Sequence, residues 1–566
     1  MKNIVSEHTF TYVVAVAPAF VVKEPDLTAR RGIIQDADAE EKRFSDAVSR
    51  EVAALDLIAK QNKIFETLRD MIQDPGLLDE VSTRIRGDKK NAEWALEETI
   101  SEFSAMFEEM EDEYLRARSA DILDVGRRLM LRLKGLKNNR LDGICQKAII
   151  VAKDLSPADT ADMDMKYVSG FITQEGGTTS HIAIMAKSLG IPALVGVSGL
   201  MEHTKEGSMI AMDAQTGEIV IDPDEQTLAA YQEKLSAQER EEALYRETVG
   251  AKACTRDGKP VHLYANVGGL ADIDAALRQG AEGVGLFRTE FLYLDGDHFP
   301  TEDEQFEVYA ESARRMGDRE LIIRTLDIGG DKELSYYRFE EEENPFLGCR
   351  AIRLCLRKPE IFKTQLRALL RASVFGNIKI MYPMISDLSE LDRANEILLQ
   401  CCKELEEEGI AFHKDIPVGM MMETPSAVMM ADSFAKRVDF FSIGTNDLTQ
   451  YMLAADRGNR NLSDLYNSFR PAVLRAIERV IAAGHRNGIP VGMCGEFAAD
   501  PKAVPVSLGW GLDEFSVSAN MVPKLKLQLA DIDSRQAAAL SEQVLTCEKK
   551  EAIMNEVNEF MKKNDV

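Results

Sequence analysis

Eight apolar runs, separated at regular intervals by helix-patterned segments, constrain the C-terminal half of this chain more than any other feature. They are Val261–Val267, Gly283–Leu292, Leu321–Ile328, Ile378–Met384, Pro417–Thr424, Asp439–Thr445, Pro490–Gly495 and Glu514–Val517. Most are continuous rather than alternating, as strands buried on both faces are. Eight strand–helix units in roughly 270 residues predict a (β/α)8 barrel.

The remaining chain needs further domains, because 566 residues exceed what one hydrophobic core organises. Between about residues 26 and 138, the segments Ala39–Gln73, Leu77–Arg86, Asn91–Leu115 and Ala120–Leu133 space their apolar residues as helices do. Strand signals follow at Ala148–Ala152, Gly170–Thr173, Ala193–Gly196 and Glu218–Ile221, and the first two dozen residues also read as a strand. The simplest assembly is a β/α domain built from both flanks with the helical block inserted into it. A charged helix, Gln226–Glu247, has the composition of a connector, and Arg535–Val566 forms an amphipathic helical tail. The chain is therefore expected to be a multidomain α/β protein with boundaries at 1–25, 26–139, 140–224, 225–255, 256–534 and 535–566.

Charge and composition narrow the partners. A formal charge of −27 repels nucleic acid and favours basic protein surfaces. No apolar run approaches the roughly 20 residues of a membrane span, so no membrane insertion is expected. The N-terminal apolar patch alternates like a strand and lacks the small-residue cleavage site of a signal peptide. The cysteines are scattered without a metal-type CxxC pair, which suits a reduced, cytoplasmic protein.

Two constellations carry chemistry. In the first, Gly176-Gly177-Thr178-Thr179-Ser180-His181 runs into the helical pattern Ile182–Lys187. A helix start offers free N–H groups to a phosphoryl group, and a neutral imidazole there can accept one covalently; the plain alternative is a capping turn that contains a histidine. The second lies at the predicted C-terminal ends of the barrel strands, where such barrels place their active sites. Arg288, Arg324 and Arg457, with Lys332, suit a polyanion. Glu423 and Asp447 offer hard oxygen ligands for Mg2+. Cys494, beside glycines, is a candidate proton donor to a carbanion or enolate. Combined, the two halves describe phosphoryl transfer from an enol phosphate to a histidine.

These residues resemble the phosphoenolpyruvate–protein phosphotransferase family, Enzyme I of the bacterial sugar phosphotransferase system. The resemblance rests on GFITQEGGTTSHIAIMAKSLGIPALVG, GVGLFRTEFLY, RTLDIGGDKEL, EENPFLGCRAIR, VDFFSIGTNDLTQYMLAADRGN and GMCGE, in the family's order. It implies a swivelling phosphohistidine domain, an inserted helical domain that docks the carrier protein HPr, and a phosphoenolpyruvate-binding barrel that forms a homodimer. By matched position, His181 is the phosphorylated residue, supported by Thr160 and Lys187. Arg288, Arg324, Lys332, Arg350, Asn446 and Arg457 hold phosphoenolpyruvate, Glu423 and Asp447 hold Mg2+, and Cys494 protonates the enolate. The connector near 225–255 is expected to contain a hinge.

Three departures from the family pattern stand out. Val16-Ala17-Pro18-Ala19-Phe20 replaces a Ser-Pro-Gly-type turn. Lys187 stands where arginine is common, keeping the charge but losing the fork. Phe65-Glu66-Thr67-Leu68 and Met71-Ile72-Gln73-Asp74 replace a Phe-Glu-x-His stretch and Met-Leu-Glu-Asp. Two rival readings are a dikinase-type phosphoenolpyruvate/pyruvate enzyme, which needs a nucleotide-binding domain not seen ahead of the histidine, and a phosphoenolpyruvate-sensing regulatory phosphoprotein.

Overall fold

The protein, in a computed structural model, is described over residues 2–5, 8–9, 14–22, 26–59, 63–108, 113–136, 141, 144–155, 159, 163–176, 182–183, 185–186, 191–294, 296–330, 332, 334–340, 342–462 and 464–564. It divides into two compact units, residues 1–240 and 241–566.

The first unit holds a mixed sheet of β1 (Lys2–Val5), β2 (His8–Thr9), β3 (Val14–Val21), β4 (Ala148–Ala152), β5 (Val168–Thr173), β6 (Ala193–Val195), β7 (Met209–Asp213) and β8 (Glu218–Ile221), in the order β1-β8-β7-β3-β4-β5-β6-β2. β3, β4, β5 and β6 pair in parallel, whereas β7 joins β3 antiparallel. Alternation along β3 turns Ala15, Ala17 and Ala19 toward Ile149, Val151, Ile172 and Leu194. Between β3 and β4 the chain makes α1 (Ala37–Ala59), α2 (Lys63–Ile72), α3 (Pro75–Gly87), α4 (Ala92–Glu108) and α5 (Glu113–Leu133). These helices bury their own core around Phe44, Leu55, Ile72, Val81, Ile85, Leu96 and Leu129. The start of α3 shows why the breaks fall where they do. Asp74 accepts the Leu77 N–H at 3.1 Å and Pro75 opens the first turn.

In the second unit eight parallel strands close a barrel: β9 (His262–Val267), β10 (Gly283–Phe287), β11 (Glu320–Arg324), β12 (Asn377–Tyr382), β13 (Val418–Met422), β14 (Phe440–Ile443), β15 (Val491–Met493) and β16 (Glu514–Ser518). All eight coincide with the apolar runs, but several stop sooner than the runs do. After Arg324, for example, Leu326 and Ile328 continue the apolar pattern in a loop and are buried against the surrounding helices. Burial alone therefore extends the pattern beyond the hydrogen-bonded ladder. One strand, β7, is absent from the sequence-based strands. Its Met-Ile-Ala-Met core holds one strong strand former, Ile210, among weaker ones, and pairing on both edges with β3 and β8 holds it in place.

At the end of the barrel away from the strand C-termini, Glu514 opens β16. A Cβ on Gly285 of β10, one strand beyond β9, would lie 2.0 Å from its Oε1, so the carboxyl occupies space inside the barrel that a side chain at 285 would need. Burial first, then Glu320, pushes this carboxyl up to about 8, against the smaller opposing pull of Lys379 and His262. The native state therefore keeps a proton that the unfolded chain releases near its ordinary value of 4.5. The resulting stability is fully present below that value and is lost as pH climbs to about 8, at up to about 1.4 kcal/mol per pH unit. Glu514→Gln should flatten this slope. Paired denaturant titrations at the two ends of that range should show the variant gaining on the parent only at the alkaline end.

Candidate active site

The strand ends on the opposite rim surround a cavity of about 500 Å3, and the nine barrel residues singled out from sequence all line it. Arg288 follows β10, and its N–H donates to the Val267 carbonyl at 2.9 Å. Arg324 closes β11. Glu423 follows β13, Asn446 and Asp447 lie in the first turn of the helix Thr445–Leu453 after β14, and Cys494 follows β15. Arg457 lies beyond that helix, its N–H held by Gln450 Oε1 at 3.0 Å. Arg350 comes from the segment before the helix Ile352–Arg357. Thr160, His181 and Lys187 lie outside the described residues.

Two carboxylates that the sequence reading did not single out organise the cations. Glu290 pairs with Arg324 and accepts from Lys332 Nζ at 2.7 Å. Asp327 lies 2.9 Å from both Arg324 Nη1 and Arg350 Nη2. Burial would raise the Asp327 pKa, but Arg324, Arg350 and Lys332 outweigh it and hold the group well below the carboxylate range. Burial acts on Glu290 in the same way, and Arg324 and Lys332 reverse it. Each pairing matters because a buried charge stripped of its partner costs about 3–5 kcal/mol. Both carboxylates stand inside the quoted strand-end motifs, as Arg288-Thr289-Glu290 and Arg324-Thr325-Leu326-Asp327. Their presence beside the arginines was the available signal. Arg288 and Arg457, by contrast, are exposed, and among the described residues neither forms an ion pair. The cavity thus has a neutralised cationic interior and an uncommitted cationic rim, an arrangement that draws in and then orients an anion.

A buried polar network fixes the strand ends from behind. Gln365, on the helix Pro359–Ala372, accepts the Leu326 N–H at 2.8 Å and donates to Thr289 Oγ1 at 3.3 Å, while Thr289 Oγ1 donates to the Arg324 carbonyl at 3.0 Å. Backbone strain concentrates at the same rim. Ala351, beside Arg350, has φ 54°, and Met384, whose N–H donates to Glu423 Oε1 at 2.6 Å, has φ 57°. Such conformations cost on the order of 1 kcal/mol each and persist where surrounding contacts impose them.

Glu423 and Asp447 form an under-compensated pair. Burial, then Asp447 and Asp327, push the Glu423 carboxyl up to about 8 despite Arg324 and Arg350. Asp447 Oδ1 is buried with no hydrogen-bond partner among the described residues, the nearest cation being Arg350 Nη1 at 3.7 Å. No cluster of three or more His, Cys, Asp or Glu side chains suited to a metal occurs among the described residues. A cation held here would therefore take two protein oxygens and complete its shell from substrate and water, the habit of Mg2+. The donor set fits that ion.

Cys494 is 4% exposed and packs with Leu286, Ile322, Met381, Met421 and Phe440. Burial pushes its thiol up to about 11, with Arg324 and Arg288 among the opposing influences. At neutral pH it carries a proton to donate.

Comparison with known proteins gives the family. Three family profiles align in order: the PEP-utilising enzyme N-terminal domain over residues 13–118, the mobile domain over 144–217 and the PEP-binding domain over 242–534. A phosphoenolpyruvate-protein phosphotransferase of Bacillus subtilis is 46% identical over 558 residues, covering 97% of this chain and 98% of its own. The protein of that name from Geobacillus stearothermophilus is 46% identical over 543 residues, 94% of each chain. With matches of this extent across all three regions, the chain belongs to the phosphoenolpyruvate-protein phosphotransferase family of PEP-utilising enzymes.

Proposed function

We propose that this enzyme transfers the phosphoryl group of phosphoenolpyruvate to His181 and then to a histidine of HPr, releasing pyruvate as the first step of the sugar phosphotransferase system. The observation that carries this reading is the meeting of nine sequence-predicted residues around one cavity, with cations, paired oxygen donors and a protonated thiol on its walls. Arg288 and Arg457 draw the substrate in from the rim. Arg324, Lys332, Arg350 and Asn446 hold its phosphoryl and carboxylate groups. Glu423 and Asp447 would hold Mg2+, which when bound neutralises charge on the phosphoryl oxygens. His181 attacks phosphorus in line, with Thr160 and Lys187 supporting the new phosphohistidine. As the P–O bond breaks, its electron pair stays with the enolate of pyruvate. Cys494 then delivers a proton to the enolate carbon.

In this reading residues 1–25 and 140–224 form the phosphohistidine domain and 26–139 the HPr-docking insert. Residues 225–255 form the connector with its hinge, 256–534 the substrate barrel and 535–566 its tail. The helix Glu225–Thr248 ends within that connector, which leaves residues past 248 to supply the hinge. A groove on the insert supports docking of a basic carrier. Met71, Phe103 and Phe107 line it with Asp70 and Asp74, and it encloses about 540 Å3. Exposed Met429 and Met430 on the barrel, at 64% and 43%, support a homodimer formed through that domain. The free state of all eight cysteines suits a cytoplasmic protein.

Incubation with phosphorus-labelled phosphoenolpyruvate and Mg2+ tests the reading. Acid-labile label should appear on the chain with stoichiometric pyruvate, vanish when the metal is chelated, and pass to added HPr. Labelling that requires ATP would instead favour a dikinase.

A further inference from the structure

One buried polar group on the strand beside Cys494 lacks a structural partner. Ser442 is 2% exposed, and its Oγ is buried with no hydrogen-bond partner among the described residues. A hydroxyl left unpaired in the interior costs about 1–3 kcal/mol, so its position calls for a reason.

Strand geometry aims it at Cys494. Side chains alternate along β14: Phe440 belongs to the inner barrel cluster that contains Cys494, whereas Phe441 and Ile443 face the outer helices. Ser442, two residues from Phe440, therefore also points into the barrel. In the neighbouring strand Ser442 lies opposite Gly492, which contributes no side chain, and Ile443 opposite Met493. Cys494 follows, its N–H donating to the Ile443 carbonyl at 3.1 Å and its Sγ 3.8 Å from the same oxygen. The register thus places hydroxyl and thiol near one another on adjacent strands.

The chemistry of the proposed reaction supplies the reason. When Cys494 protonates the enolate, the S–H bond breaks and its electron pair stays on sulfur. The enolate π pair forms the new C–H bond and the ketone is restored. The sulfur is then an anion among Leu286, Ile322, Met381, Met421 and Phe440, where an unsolvated charge is costly. Arg324 and Arg288 oppose that cost through space, and the Ser442 hydroxyl is placed to oppose it as a hydrogen-bond donor. Its freely rotating hydrogen, committed to no other acceptor, can turn to sulfur as the charge appears.

We propose that Ser442 is a positioning residue for proton transfer: its hydroxyl donates a hydrogen bond to the Cys494 thiolate left when the enolate is protonated. The inference rests on the phosphotransfer reading for its purpose, but the contact can be tested separately.

The first test follows exchange of the pyruvate methyl hydrogens into heavy water, by NMR, with Mg2+ and unphosphorylated enzyme. In that direction the thiolate is the base. Ser442→Ala should slow exchange about 10- to 100-fold and move the pH midpoint up by about one unit, with KM for pyruvate changed less than about twofold. Ser442→Thr, which keeps the hydroxyl, should recover most of the rate. The second test needs no turnover. Alkylation of Cys494 by iodoacetamide, read by peptide mass spectrometry, should slow about threefold in Ser442→Ala, because a tenfold loss of thiolate is partly offset by its greater nucleophilicity. Unchanged alkylation and an unmoved pH midpoint in Ser442→Ala would overturn the inference. So would equal exchange losses in the alanine and threonine variants without a midpoint shift, since that pattern belongs to a packing role. Absence of exchange in the parent enzyme, together with slowed alkylation in Ser442→Ala, would fault the phosphotransfer reading and still support the serine–cysteine bond.

Discussion

His181→Ala is expected to take up no label from phosphoenolpyruvate and to lower pyruvate formation at least about 10⁴-fold, as losing a covalent nucleophile does in other enzymes. The barrel should be left intact. Its cation network, Glu290 with Arg324 and Lys332 and Asp327 with Arg324 and Arg350, is built from residues within 290–350. Substrate affinity, measured by equilibrium dialysis with Mg2+, should therefore change little. An alanine variant that still acquires acid-labile label would mean another side chain is the acceptor.

Cys494→Ala is expected to slow pyruvate release about 10²–10⁴-fold, the usual reach of a positioned general acid. Three features argue for a value in that range. The thiol holds its proton until pH nears about 11, so the donor form prevails across neutral pH. Five apolar neighbours enclose it and hinder a water molecule from taking over. An enolate left unprotonated also remains available to recapture the phosphoryl group, so label uptake should slow along with pyruvate release. KM for phosphoenolpyruvate should stay within about threefold, because the anion is held by arginines rather than by sulfur. A coupled assay showing turnover within tenfold of the parent would remove Cys494 from the mechanism.

Much of this architecture is legible from residue order because the barrel strands are buried on both faces and read as unbroken apolar runs. The same property blurs their ends. Leu326 and Ile328 are as buried in a loop as Leu321 and Ile323 are in a strand, and periodicity has no term for the ladder that separates them. β7 escapes for the opposite reason, since methionine and alanine carry little strand preference and partners distant in sequence impose the conformation.

Among the site residues, Arg288, Arg324, Glu423, Asp447 and Cys494 are readable because a charged or thiol side chain at the end of an apolar strand is costly without a task. Arg350, Asn446, Thr160 and Lys187 came from family resemblance alone. The pairing role of Glu290 and Asp327 is only partly legible. Sequence shows that acid and base are near one another along the chain but not that Asp327 reaches across to Arg350. Ser442 is hidden more thoroughly, since a lone serine in a strand has many ordinary explanations until its hydroxyl is seen without a partner among the described residues.

The position of α1–α5 between the parallel strands β3 and β4 has a consequence for how the sheet closes. Any parallel crossover needs about a dozen residues, and each doubling of a connection adds only about 0.6 kcal/mol of chain-closure entropy. Lengthening the crossover by roughly three doublings to hold a whole helical bundle therefore burdens the sheet by only about 2 kcal/mol. Because the bundle buries a hydrophobic centre of its own, its surface is free to drift in sequence while the strands on either side keep their register. The unusual Phe65–Leu68 and Met71–Asp74 stretches lie within that loosely coupled crossover, where divergence is least costly to the sheet.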